Sequence, residues 1–452
     1  MKRLINKNKN LKFYLVGSCL LLFCLRFLFS FQSEPSDYKP VSFKLKNGLQ
    51  VIIVEDNSFP LVSAVIAYGV GSINDPPNKD GLAYLMQNLM FQGSENVGPL
   101  QHINYIQNVG GELNAATTFD KTFFYETVPS NQLGLVLWLE SERMHFLDIN
   151  QIILEKEKEN LIRNERQRQL DEPFARYFFL IDEILYPDFS YGHSLVGSAQ
   201  SVKNITLNDV LSFYRRYYVP NNAVLCLSGD LNTQKAKELV IRYFESIPKG
   251  LEPIVYPKPE FPLGPSGRDQ IMIDPLVSSP AMQFAIRIEN YQPEDILIFK
   301  IMEQILLNGN SSRLVNRLIR KERVALYLSG GFEERREFQS LKLFLLANNQ
   351  YMIERSKKIL IDELNRLKTE MVSEKEMTKA KNKFKYNYVK EITGNNLSRA
   401  LALADRYLKE RNLPEIGSEL AQLERINSYS ILMLARKHLN EENYCFITIL
   451  PR

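Results

Sequence analysis

The chain has 452 residues, 45% hydrophobic and 24% charged, an ordinary globular balance with room for two to four domains. Its net charge of +4 arises in the first 31 residues, which hold Lys2, Arg3, Lys7, Lys9, Lys12 and Arg26 and no acid; the remainder carries 50 basic against 52 acidic residues. A body so close to neutral lacks the concentrated basic patch of a nucleic-acid surface.

The basic stretch ending at Lys12 precedes nineteen residues, 13–31, interrupted by a single charge at Arg26. That length is near the lower limit for crossing a bilayer. Arg26 lies near the far end, where its stem can snorkel to the interface. The segment therefore reads as a signal-anchor, with the N-terminus in the cytoplasm and the body outside it. A cleaved signal peptide followed by secretion is the second reading. Residues 32–40 form a short polar linker. Residues 41–68 predict strands around a turn at Lys46-Asn47-Gly48-Leu49.

An amphipathic helix follows over 80–94. Leu82, Leu85, Met86, Leu89 and Met90 form its buried stripe. Asp80 stands where an N-cap belongs and Gly93 where a helix stops. The other face carries Tyr84, Gln87, Asn88 and Phe91. Beyond it the pattern predicts a helix near 99–109, a strand pair at 112–119 and 122–129, long helices over 130–217 and a closing strand at 222–228. Residues 248–268 hold six Pro and three Gly and read as an inter-domain linker. The order then repeats: a strand near 281–288, helices at 293–307 and from Ser311, strands over 325–347, helices to about 439 and a closing strand at 444–450. The expected fold is α+β, with two homologous half-chain domains (41–247 and 269–452), each a mostly antiparallel sheet packed with long helices, after the N-terminal membrane segment. Cys226 and Cys445 lie in strand-like apolar runs and read as buried free thiols.

Few residues offer chemistry. The four histidines, His102, His145, His193 and His438, are all more than 40 positions apart and show no metal-ligand spacing. Gly69-Val70-Gly71 and Gly330-Gly331 are turn signals, and no phosphate loop or nucleophile elbow is present. The run Glu155-Lys156-Glu157-Lys158-Glu159 reads as a solvated helix face. Glu165 extends the apolar side of that helix and needs a partner if buried. An amide N–H from Gln87 or Asn88 would serve, and residual metal binding is the alternative. Arg320, at a helix end, and Tyr327, in the strand read over Val324-Ala325-Leu326-Tyr327-Leu328, could converge on a peptide carbonyl or on the oxyanion it becomes.

Several stretches together resemble the pitrilysin/insulinase peptidases, in their mitochondrial-processing-peptidase-like branch. They are Asn47-Gly48-Leu49-Gln50-Val51, the 81–94 helix, Gly110-Gly111-Glu112-Leu113-Asn114-Ala115, Tyr217-Tyr218-Val219-Pro220-Asn221-Asn222-Ala223 with Gly229-Asp230-Leu231, and Ser311-Ser312-Arg313-Leu314. The resemblance spans about residues 40–452. Such peptidases carry an inverted zinc motif, H-x-x-E-H. Its positions fall here on Tyr84, Gln87 and Asn88, and all three are replaced. The distal zinc-binding Glu falls on Glu165, 77 positions after Asn88, and is kept; the acidic position seven residues earlier is Lys158.

The family's substrate-contacting Arg/Tyr pair falls on Arg320 and Tyr327, and its substrate-pairing strand on Glu112, Leu113, Asn114 and Ala115. The resemblance thus implies a non-catalytic subunit of a heterodimeric zinc metallopeptidase. Such a subunit binds no metal itself; zinc is expected in a homologous active partner, and the substrate is a peptide or unfolded polypeptide. A scaffold or binding protein of the same fold with no role in proteolysis is the alternative, and an atypical metallopeptidase a third.

Overall fold

The computed structural model describes residues 38–452, apart from 173, 188, 252–253, 260–267 and 414. The anchor expected at 13–31 lies outside the described residues. Among those described, no helix is long and apolar enough to cross a membrane.

The first half runs β1 (Val41–Lys44), β2 (Gln50–Glu55), β3 (Leu61–Tyr68), α1 (Leu82–Leu89), α2 (Gln101–Asn108), β4 (Glu112–Thr117), β5 (Thr122–Pro129), α3 (Leu133–His145), α4 (Gln151–Asp171), α5 (Ala175–Leu185), α6 (Ala199–Asn204), α7 (Leu207–Tyr217), β6 (Ala223–Gly229) and α8 (Thr233–Phe244). The second runs β7 (Arg268–Asp274), β8 (Ala281–Ile288), α9 (Asp295–Leu306), a π-helical segment (Val315–Lys321), β9 (Tyr327–Glu334), β10 (Gln339–Leu346), α10 (Gln350–Thr369), α11 (Glu374–Thr393), α12 (Asn396–Glu410), α13 (Ser418–Arg425), α14 (Ser428–His438) and β11 (Cys445–Pro451). β7 falls just after the linker read at 248–268, ahead of the first strand expected in the second half near 281–288. Its alternation is inverted, with Ile271 and Ile273 exposed, so the usual strand signal is weak there.

The sheets repeat one another. The first has the order β1-β2-β6-β3-β5-β4 and the second β7-β11-β8-β10-β9. In each, the half's closing strand runs parallel to its first long strand, β6 beside β2 and β11 beside β7, and every other pairing is antiparallel. The expected duplication is therefore visible in topology. It places α9 opposite α1, α11 opposite α4, and α12 opposite α5 in the repeat. Central strands β6 and β8 are buried along their whole length, which is why they read as continuous apolar runs rather than alternating ones.

One face of each sheet packs on helices of its own half. The other face is covered by a helix from the opposite half. α12 lays Ala400, Leu403, Ala404 and Leu408 on Ile52, Val65, Val224 and Cys226 of the first sheet. α5 lays Tyr177, Ile181, Ile184 and Leu185 on Ala281, Ala285, Cys445 and Ile447 of the second. The i, i+4, i+8 spacing keeps each stripe on one side of its helix, and small residues at 400 and 404 let α12 approach closely. Cys226 and Cys445 are buried free thiols in these exchanged layers.

Buried ions fix the exchange. Arg399 is fully buried; it donates to Asp56 Oδ2 at 2.9 Å, Ser228 Oγ at 2.8 Å and the Ile392 carbonyl at 2.7 Å. Asp182 on α5 accepts from Arg335 at 2.9 Å and Lys342 at 2.5 Å, across to the second sheet. Removing one member of such a pair strands the other without water. Asp56→Ala is expected to cost about 3–5 kcal/mol and to lower the urea midpoint, followed by circular dichroism. Asp56→Asn, which keeps a hydrogen-bond acceptor for Arg399, should cost less.

Candidate functional site

The face of α1 opposite its buried stripe borders a cavity of about 630 Å³. Tyr84 and Asn88 of α1, Glu165 and Arg168 of α4, Phe179 of α5, and Val196 all line it. The expected frame is therefore assembled in space, although its members are spread over 80 positions. Gln87 sits on the same helix beside β4 and accepts a hydrogen bond from Thr117 Oγ1 at 2.8 Å.

The start of α1 differs from expectation. Gly81, not Asp80, is the N-cap, at φ 94°. Asp75 satisfies the helix end instead, accepting from Gly81 N and Ala83 N, both at 2.8 Å. A Cβ on Gly81 would lie 2.4 Å from the Val196 carbonyl oxygen, so the glycine permits both the turn and the approach of the cavity wall. Asp80 accepts from Ser201 Oγ at 3.1 Å. The helix ends at Leu89, four residues before Gly93.

Glu165 accepts from Arg168, one turn along α4, through Nε to Oε2 at 2.9 Å and Nη2 to Oε1 at 2.6 Å, a partner that the expected amide from Gln87 or Asn88 did not include. A forked guanidinium matches a carboxylate in this bidentate way. It supplies the positive charge that a metal would otherwise bring. The run 155–159 is also less solvated than expected, because Glu157 and Lys158 are buried. Lys158 Nζ donates to Glu155 at 3.1 Å and to the carbonyls of Lys203 and Ile205 at 3.0 and 2.9 Å. Those are the orphan carbonyls at the end of α6, and the stem packs inside while the ammonium caps them.

The donor set at this frame does not suit zinc. A phenol, two amides and one carboxylate already paired with Arg168 offer no imidazole or thiolate. The sequence spacing did not reveal Arg168, although its i, i+3 relation to Glu165 is a readable helix pair.

A second cluster was invisible in the sequence because its members come from three elements. His102 of α2, Glu126 of β5, and Glu140 and Arg143 of α3 are all buried. His102 Nε2 makes a short contact with Glu126 Oε1. Arg143 forks onto Glu140, lies 3.7 Å from Glu126 and stacks 4.2 Å over the Phe124 ring. One His nitrogen and two carboxylates within 4.8 Å of one another have metal-ligand composition. Arg143 has already taken the cation's place, and a divalent ion beside it would leave a net positive charge in a sealed core.

Neutrality here needs one proton shared among His102 and the two carboxylates. Burial pushes Glu126 and Glu140 up to about 7, against the pull of Arg143. Burial also pushes His102 down to about 3. Glu140 holds the guanidinium in two bonds, so Glu126 is the carboxyl that keeps the proton.

β4 lies at the free edge of the first sheet, paired only with β5. Glu112, Leu113, Asn114 and Ala115 of that edge run beside α1. In the second half, Arg320 is exposed in the last turn of the π-helical segment. Tyr327 is half exposed at the start of β9, the corresponding free edge. The Val324 and Ala325 N–H groups close the connection between them onto the Leu318 carbonyl, at 2.9 and 3.2 Å.

Two models of one family match the chain in succession: insulinase (peptidase family M16) over residues 50–198 and the peptidase M16 inactive domain over 204–384. The chain belongs to the M16 peptidase family. Zinc protease PqqE of Helicobacter pylori is 25% identical over 91% of this chain and 93% of its own length. The mitochondrial-processing peptidase subunit beta of Saccharomyces cerevisiae is 24% identical over 49% of this chain and 47% of its own. Among solved structures, a protease from Helicobacter pylori has a TM-score of 0.85 at 24% identity, covering 92% of this chain and all of that one.

Two outcomes test the site. Glu126→Gln preserves neutrality and should change stability by about 1 kcal/mol or less, whereas Glu140→Gln removes both close bonds to Arg143 and leaves Glu126, 3.7 Å away, to ionise in its place, and should cost more, about 1–3 kcal/mol. Because the Glu126 pKa is raised on folding, its contribution is full below the unfolded value and is lost as pH rises through about 7. Wild type should therefore lose ground to Glu126→Gln in thermal melts as pH rises from about 4.5 to about 7, with no further loss above that. Separately, the triple variant Tyr84→His, Gln87→Glu, Asn88→His should bind close to one zinc per chain by elemental analysis. Adding Arg168→Gln, which frees Glu165, should tighten binding by about tenfold.

Proposed function

We propose that this chain is the non-catalytic subunit of a two-chain zinc metallopeptidase, with zinc held by a homologous partner that keeps H-x-x-E-H. The observation that carries the reading is the cavity that unites Tyr84, Asn88 and Glu165 without a zinc-binding donor set, its carboxylate neutralised by Arg168. Beside it, the strand Glu112–Thr117 keeps a free edge, and Arg320 and Tyr327 remain exposed. In this reading the chain closes a chamber around an extended polypeptide, which the Glu112–Thr117 edge engages by strand addition. Arg320 and Tyr327 then donate to the oxyanion that develops at the partner's metal.

The apolar segment 13–31 anchors the assembly, with its body outside the cytoplasm. Protease added outside intact cells, after the outer permeability barrier has been opened where there is one, should then digest the body.

The test is co-purification of the tagged, detergent-solubilised chain, followed by peptidase assays on the complex. A stoichiometric homologue with an intact inverted motif is expected. Arg320→Ala and Tyr327→Phe should each lower turnover by about 10²–10³-fold with assembly intact. Recovery of the chain alone, or only with partners lacking that motif, would favour a scaffold of the same fold.

A further inference from the structure

α11 carries six lysines, more than any other described helix. Its buried side is Met377, Ala380, Phe384, Tyr388 and Ile392. On the opposite side Lys375, Lys379, Tyr386 and Lys390 recur at i, i+4, i+11 and i+15. All four are exposed, and Tyr386 keeps 66% of its surface. The stripe is about 22 Å long, and no acid stands on it. Glu376 pairs with Arg313 at 2.8 Å and Glu391 with Arg406 at 3.2 Å, both off the stripe.

Nothing within the chain accounts for these cations. Lys385 reaches the Glu424 carboxylate at 2.5 Å and Lys381 its carbonyl at 3.3 Å, on the helix flank. Lys379 donates to Ser311 Oγ. Lys375, Lys379, Lys383 and Lys390 form no ion pair among the described residues. Lys375, Lys379 and Lys383 stand four apart, a spacing at which like charges repel along a helix. Lys375 also lies in the first turn, where the macrodipole disfavours a cation. The helix loses stability by this arrangement, and an anionic surface outside the chain would restore it.

An independent observation says where such a surface lies. The Tyr38 ring stacks on the Arg399 guanidinium at 3.6 Å. Arg399 Nε in turn donates to the carbonyl of Ile392, at the C-terminal end of α11. The chain therefore joins the body beside that helix end. Only residues 32–37 separate Tyr38 from the apolar segment 13–31, and a link of that length reaches at most about 25 Å. A bilayer that holds the segment is then within reach of the stripe.

We propose that the outward face of α11, with Lys375, Lys379, Tyr386 and Lys390, lies on anionic lipid headgroups of the bilayer that segment 13–31 enters. The proposal rests on the anchor reading of that segment, and holds whether or not a partner peptidase exists. Each lysine at the surface strengthens the contact about fivefold. The Tyr386 phenol sits at headgroup level, where an aromatic ring with one polar end is favoured.

The experiment is trace acetylation of the full-length chain by a membrane-impermeant amine reagent, in vesicles of phosphatidylcholine alone and with phosphatidylglycerol added, read residue by residue by mass spectrometry. Lys375, Lys379 and Lys390 should react at least about fivefold more slowly when phosphatidylglycerol is present, and high salt should abolish the difference. Lys46, 88% exposed in the turn between β1 and β2, should react equally in both. The double variant Lys375→Glu, Lys379→Glu should lose the protection of Lys390 at unchanged melting temperature; should it fail to fold, the wild-type lipid and salt comparisons decide. Equal rates in the two vesicles, or protection that survives high salt, would overturn the proposal. Protection in lipid-free detergent beside a co-purifying protein would overturn it too, assigning the stripe to a protein partner. Flotation with the vesicles after an alkaline wash separates the two readings. A chain that floats with unprotected lysines overturns this placement alone, and one that does not float overturns the anchor and the placement together.

Discussion

Neither sheet can cover both of its faces from its own half of the chain. A twisted sheet with two apolar faces must be packed on each side, and here the second layer is exchanged: α12 seals the first sheet and α5 the second. Each exchanged helix is two-sided. While Tyr177, Ile181 and Leu185 of α5 are buried on the second sheet, Phe179 of the same helix lines the cavity beside α1. While Leu403 and Leu408 of α12 are buried on the first sheet, Asp405 and Arg406 line a cavity of the second half. The geometry of both cavities is thus tied to the contact between halves. Buried Arg399 and Asp182, with their partners, hold that contact in one register, since sliding either helix would strand a charge.

The chemistry of the cavity beside α1 follows from charge balance. An isolated carboxylate facing α1 would need a compensating cation. Arg168 provides it from within the same helix. Lys158, where the family resemblance expects an acid, turns inward to the carbonyls at the end of α6. Two basic residues on α4 therefore replace metal-directed chemistry with helix-directed chemistry. The helix keeps its place against α1.

Much of the fold was legible because it is local. The amphipathic stripe of α1, the Pro-rich linker and the repeated element order each leave a periodic or compositional trace. That Tyr84, Asn88 and Glu165 belong to one site was legible through the family resemblance rather than through any local pattern. What sequence spacing missed depends on long-range closure. β7 was lost because its exposed Ile271 and Ile273 invert the expected pattern. The Asp75 cap was lost because its loop reaches back over the helix start, six and eight residues away from the groups it satisfies. The His102, Glu126, Glu140 and Arg143 cluster joins two helices and a strand, and no single window contains it. The exchange of α5 and α12 has no local signature either, because each helix would read the same packed on its own half.

That exchange also sets an order of events during synthesis. The last strand of the first sheet, β6, ends at Gly229, whereas the helix that seals its outer face is finished only at Glu410. At about 5–20 residues per second, the ribosome leaves the face carrying Ile52, Val65 and Val224 uncovered for roughly 10–40 s. A nascent chain of this design presents a wide, sticky sheet to its surroundings throughout that interval. Its yield in the cell then depends on whatever shields that surface until the distant helix arrives.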